Sequence, residues 1–143
     1  MALFDFLRKF SFFRGRDTEG MAEEDLDFLK WIKAHRDWRT RLIAYIDGTS
    51  AEELDEYEIC RDDRCALGHW IHGHGTRFYG DVEVFEQLKS HHRDFHISAG
   101  MVVTMYKKAG APAARKALNQ DFDLNSMRVV RSIEALERQV TGA

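Results

Sequence analysis

Residues 88–99 read LKSHHRDFHISA, with His92-Arg93-Asp94-Phe95-His96 at the centre. Positions four apart on an α-helix lie one above the other on the same face. Two neutral imidazoles spaced that way can hold one metal ion from one side without distorting the backbone. Leu88, Phe95, Ala99, Val102 and Tyr106 recur at three- and four-residue steps or their sum. This periodicity predicts a helix with the His pair on or beside its apolar stripe. Such a pair is either a metal site or two rings satisfied by hydrogen bonds, and the rest of the chain bears on the choice.

The surrounding pattern predicts a helix over 82–109, capped by Asp81 and ended by Gly110. Pro112 suits the first turn of a following helix over 112–140. There Leu118, Phe122, Asn125, Val129, Ile133, Leu136 and Val140 again step by three and four. Upstream, a helix over 22–47 has Glu23, Glu24 and Asp25 in its first turn, where the helix dipole favours anions. Leu26 and Leu29 lead into a seam of Trp31, His35, Trp38, Leu42 and Tyr45, with Gly48 as a left-handed stop. Thr49 or Ser50 is expected to cap a short acidic helix over 51–58.

Residues 61–75 read RDDRCALGHWIHGHG. Asp62 or Asp63 is expected to cap a helix beginning near Cys65. A thiol in a first helical turn has its pKa lowered by the amide dipoles, which favours thiolate. Leu67, Trp70 and Ile71 should face inward, Gly68 should admit another helix, and Gly73, Gly75 and Gly80 should form a loop.

There is no alternating strand pattern. Three long helices with short ones between them predict an all-α, antiparallel four-helix-type bundle. One proline in 143 residues agrees with this. The 44% apolar and 31% charged residues are ordinary for a globular chain. A net charge of −3 gives no case for nucleic-acid binding. No apolar run approaches a membrane span, and no signal-peptide cleavage pattern follows the N-terminus. Cys60 and Cys65 do not form a C-x-x-C pair, so a reduced, cytoplasmic setting is expected.

Residues 1–21 are read as a separate segment and linker ahead of a domain over 22–143. Leu3, Phe6, Leu7 and Phe10 would share one helical face, and Arg8, Lys9, Arg14 and Arg16 add positive charge. Residues 1–16 therefore read either as an amphipathic helix for a membrane surface or partner, or as a short packed helix or tail.

His35, Cys65, His92 and His96 form the candidate metal set. Three imidazole nitrogens and one thiolate sulfur make a closed tetrahedral shell that suits Zn²⁺ and leaves no position for a substrate water. No enzymatic role is expected. His72 or His74 is an alternative ligand or the basis of a weak second site. His91 faces about 100° away from His92. Asp37, Asp94 and Asp121 are candidates to orient the rings, as carboxylates or carbonyls usually do.

The motifs His35-x-x-Trp38, Cys65-x-Leu67-Gly68-x-Trp70 and His92-x-x-x-His96 resemble the chemoreceptor zinc-binding (CZB) domain of bacterial chemoreceptors and zinc-responsive diguanylate cyclases. The resemblance covers about 22–140. It implies a helical bundle, often a homodimer, that binds zinc very tightly through three His and one Cys. It also implies that zinc occupancy or Cys oxidation adjusts an attached signalling output. These 143 residues hold no cyclase-type output domain or long receptor coiled coil, so a separate signalling partner is expected. The alternatives are a zinc-stabilised adaptor or a hemerythrin-like metal bundle. The latter wants carboxylate bridges and about five histidines, and no Glu-x-x-His motif is present.

Overall fold

The computed structural model describes residues 26–142. Residues 1–16, the linker and the expected first turn from Ala22 lie outside the described residues. Among those described there are helices and no strand.

Helix α1 spans Phe28–Asp47. It begins at Asp27, whose carboxylate accepts from the Lys30 amide at 3.1 Å, so Leu26 is not helical. Leu29, one of the residues expected to lead into the seam, is 77% exposed; Phe28 and Ile32 take the buried side instead. Gly48 ends the helix at φ +76°, a conformation that a residue with a Cβ rarely adopts.

The acidic helix expected over 51–58 shrinks to one turn, α2, Glu56–Ile59. Its cap is Asp55, which accepts from the Tyr57 amide, while the Ser50 hydroxyl accepts from the Glu52 amide in a turn. Helix α3 is Ala66–Trp70, and its cap is Cys65 itself rather than Asp62 or Asp63. The Cys65 sulfur accepts from the Gly68 amide at 3.3 Å. Gly68 admits backbone, not a helix: a Cβ there would collide with the Asp62 carbonyl oxygen. The expected glycine loop is reduced to a non-helical kink at Gly73 and a turn at Gly80, with helical chain between them. A wide π-turn, Ile71–Gly75, is kinked at Gly73 and runs into α4, Thr76–Tyr79.

Helix α5, Glu83–Ala109, is the central element. Val82 precedes it with no side-chain cap, so Asp81 does not have the expected role. Gly110, at φ +89°, turns the chain into α6, Ala111–Ala117, with Pro112 in its first turn. A second π-turn, Leu118–Phe122, leads into α7, Asp123–Thr141.

Cross-element contacts fix the directions. Cys65 meets His35, Trp31 meets Trp70 and Arg41 meets Glu52, so the broken α2–α4 leg descends beside a rising α1. The same leg runs opposite to α5, with Glu56 on Lys107, Ile59 on His96 and Trp70 on Phe85. The α6–α7 arm returns antiparallel to α5, pairing His91 with Ser132 and Asn125 with Asp94. It also runs antiparallel to α1, through Arg39 on Asp123 and Asp47 on Arg115. The fold is an antiparallel four-helix-type bundle in which one helix is replaced by three short pieces.

Phe85, Leu88, Phe95, Ala99, Val102 and Val103 of α5 bury fully against Leu42, Phe122, Val129, Ile133 and Leu136. Each large apolar side chain removed from water contributes roughly 1.5–3 kcal/mol. Phe95 places a ring 4.9 Å from His35 and 5.2 Å from Phe122, so this packing sets where His35 can sit. No helix among the described residues is long and apolar enough to cross a membrane.

Candidate metal centre

His35, Cys65, His92 and His96 converge from α1, the start of α3 and α5. One donor atom from each lies within 4.8 Å of all the others. The Cys65 sulfur is 3.9 Å from His35 Nε2, 3.3 Å from His92 Nε2 and 3.6 Å from His96 Nε2. The two Nε2 atoms of the His pair are 3.1 Å apart. A tetrahedral zinc with about 2.3 Å to sulfur and about 2.05 Å to nitrogen has S···N edges of about 3.6 Å and N···N edges of about 3.3 Å. These four separations lie close to the edges of one zinc-sized tetrahedron.

The rings are held in the tautomer that metal binding needs. His35 Nδ1 donates to the Trp31 carbonyl at 2.7 Å, and His96 Nδ1 donates to the Ile59 carbonyl at 2.9 Å. A carbonyl only accepts, so both protons sit on Nδ1 and both Nε2 lone pairs face the cluster. Main-chain carbonyls thus take the orienting role for which Asp37, Asp94 and Asp121 were candidates. Asp37 pairs with Lys33 instead, and Asp94 lies beside Arg93. His92 Nδ1 is buried without a hydrogen-bond partner. Its ring is placed by packing against the His35 and His96 rings.

Burial keeps the imidazoles neutral. It lowers the His35 pKa to about 4, against the opposing pull of the Trp31 carbonyl. Burial, then the neighbouring His96 and His35, holds His92 well below its ordinary value. His96 is lowered by burial too, with the Ile59 carbonyl opposing. Cys65 departs from expectation. Burial pushes its thiol up, and the amides of Gly68 and Leu67 only partly counter this. The helix-start dipole is real, but desolvation of a thiolate in this pocket outweighs it. A divalent cation would reverse that balance, since coordination deprotonates a thiol outright.

Buried lone pairs of this density, three nitrogens and one soft sulfur without a carboxylate, fit a metal ion and suit zinc by donor type. The other histidines stand apart. His69 and His72 are exposed, and His72 lies 3.2 Å from Asp62. His74 packs its ring near Phe78. His91 bonds to the Ser132 hydroxyl at 2.7 Å. Cys60 directs its thiol to the Tyr57 carbonyl.

Residues 35–103 match the family model described as the chemoreceptor zinc-binding domain. Over this segment the chain is similar to the CZB family. The match begins at His35 and takes in Cys65, His92 and His96. CZB domains are regulatory or sensory modules rather than a known class of enzyme. No curated protein and no solved structure matches the chain.

Proposed function

We propose that His35, Cys65, His92 and His96 bind one Zn²⁺ and that this CZB-like domain is a non-enzymatic sensory module acting on a signalling partner. The observation that carries the reading is the meeting of four donors from three separate elements at zinc-like spacing in a buried core. His35 would fasten α1, Cys65 the broken leg, and His92 with His96 would fasten α5. A bound zinc supplies divalent charge that stabilises the Cys65 thiolate and ties these three elements together. The Trp31 and Ile59 carbonyls keep His35 and His96 presented through Nε2.

Loss of the sulfur donor is the step suited to signalling. Cys65 stands between the leg and both long helices, so its release loosens the leg against the bundle. Hypochlorous acid would oxidise the thiolate by two electrons to sulfenic acid, releasing chloride. The output is assigned to a partner of chemoreceptor or diguanylate cyclase type, in the cytoplasm. A homodimer and docking through residues 1–16 belong to the same reading.

The test is titration of zinc-loaded protein with a chelator or hypochlorous acid while helix content and partner binding are followed. Partner binding that changes with zinc occupancy supports the switch. If structure and partner binding stay fixed until global unfolding, the zinc-stabilised adaptor is the better description. The burial of all three histidines, at 0–3% exposure, is the feature that favours this second reading. The donor group contains no Asp or Glu, which argues against a hemerythrin-like di-iron centre.

A further inference from the structure

The donor cluster is sealed unevenly. His35, His92 and His96 are almost fully buried, while Cys65 is only partly so. Cys65 and His96 line a groove of about 510 Å³. Ala34, Trp38 and Arg41 supply its α1 wall, and Ile59 and Arg64 stand on the leg side. A separate groove of about 440 Å³ runs past Trp31 and Trp70 and is lined by none of the four donors. A route from solvent to the cluster therefore reaches the sulfur edge.

We propose that this groove is the exchange port of the site. Small carboxylate-bearing chelating molecules enter it and displace Cys65 first, and on loading the sulfur bond is made last. The inference rests on the reading of the cluster as a zinc site.

Three observations carry it. The volume suits a small molecule and not a folded carrier protein. His35 and His96 are nearly sealed and each pinned by a carbonyl at 2.7 and 2.9 Å, whereas Cys65 is only partly buried and lines the groove. Charge at the mouth completes the argument. Arg41 is held at two points by Glu52, and Arg61 at two points by Asp63. Asp37 is taken up by Lys33 at 2.6 Å. Arg64 lies 3.6 Å from Glu58 and 3.9 Å from Asp63, beyond good hydrogen-bond length. Its guanidinium is the least committed of the three and can turn toward an incoming carboxylate.

The test uses the full chain loaded with zinc. Exchange of bound zinc for isotopically labelled zinc is followed with nitrilotriacetate as carrier. Tris(2-pyridylmethyl)amine, uncharged and of equal denticity, serves as the comparison. Ala34 is exposed, so Ala34→Phe narrows the mouth without disturbing the core. It should slow exchange with both carriers about tenfold or more, about 1.4 kcal/mol in barrier, with equilibrium affinity unchanged. Arg64→Glu should slow exchange with nitrilotriacetate several-fold and should not slow it with the pyridyl carrier, whose zinc complex is a cation. Wild-type rates in both variants, with one zinc still bound per chain, overturn the port and leave the zinc site standing. Failure of the parent chain to bind zinc overturns the site reading and the port with it.

Discussion

His96 donates from Nδ1 to the main-chain carbonyl of Ile59 at 2.9 Å, joining residues 37 positions apart. One turn further along α5, Gly100 meets the same short helix. A Cβ at that position would lie 3.0 Å from the Glu56 carbonyl oxygen and 3.1 Å from Cys60 Cβ. The ring of His96 and the seat of α2 are thus set by one close approach of two backbones. Gly100→Val should push α2 away and release the His96 proton from its acceptor. Because loss of an orienting partner typically lowers metal affinity about 10–100-fold, a drop in that range is expected. Zinc competition with a chromogenic chelator measures it, and circular dichroism should still show a helical chain.

Cys65 has two roles that substitution can separate. Its sulfur faces the three imidazoles and also caps α3 through the Gly68 amide. Cys65→Ser keeps a capping oxygen, whereas Cys65→Ala removes the cap, at a cost of about 1 kcal/mol. Both variants should lose zinc affinity by more than about a hundredfold, exceeding the usual effect of an orienting residue. Only the Ala variant should also lose stability in metal-free urea titrations. Unchanged zinc affinity in either would refute the ligand assignment.

Gly68→Ala is expected to fail for a reason unrelated to helix propensity. The added methyl would collide with the Asp62 carbonyl oxygen, which is backbone and cannot rotate aside. The start of α3 must then shift, carrying Cys65 with it. A loss of about 2 kcal/mol or more in unfolding free energy is expected. Zinc affinity should fall in parallel, read by calorimetry on the same sample.

Acid should destabilise the metal-free chain earlier than its carboxylates alone would require. His35 is held at about 4 in the fold, against an ordinary value near 6.5 in the unfolded chain. Between those values the unfolded chain binds the extra proton, so stability rises with pH there. The contribution is complete above about pH 6.5 and is lost as pH falls through about 4. For His35 alone it amounts to about 3 kcal/mol, and His92 and His96 shift in the same direction. The urea midpoint of the metal-free protein should drop steadily across this window. A midpoint independent of pH there would mean that the rings are solvated without metal.

The sequence was most legible where periodicity and chain punctuation acted together. The 4-3-4-3 seam placed His35 on a buried face, and Gly48 and Gly110 ended helices as their left-handed backbone requires. It was least legible in the broken leg. Asp62 and Asp63 are stronger capping types than Cys65, but the close approach of the Asp62 carbonyl to Gly68 sets the helix start one step later. Gly73 does break the helix, at a kink, but Gly75 read as loop because local composition does not register that the chain resumes a helical course beyond it. The direction of the Cys65 shift was missed for a related reason. The dipole is a local feature of sequence, while desolvation depends on α1 and α5 closing over the sulfur. No pattern in one dimension marks the carbonyls of Trp31 and Ile59 as ring holders, since every residue has one.

The donors are strung along the chain at positions 35, 65, 92 and 96. A ribosome must therefore deliver about half of α5 before the last of them exists. Two loops, of 30 and 27 residues, must also close before the first three meet. Full coordination consequently belongs late in the birth of the molecule, after its helices have paired. Newly made copies pass through a metal-free interval, whose length depends on how fast the bundle assembles.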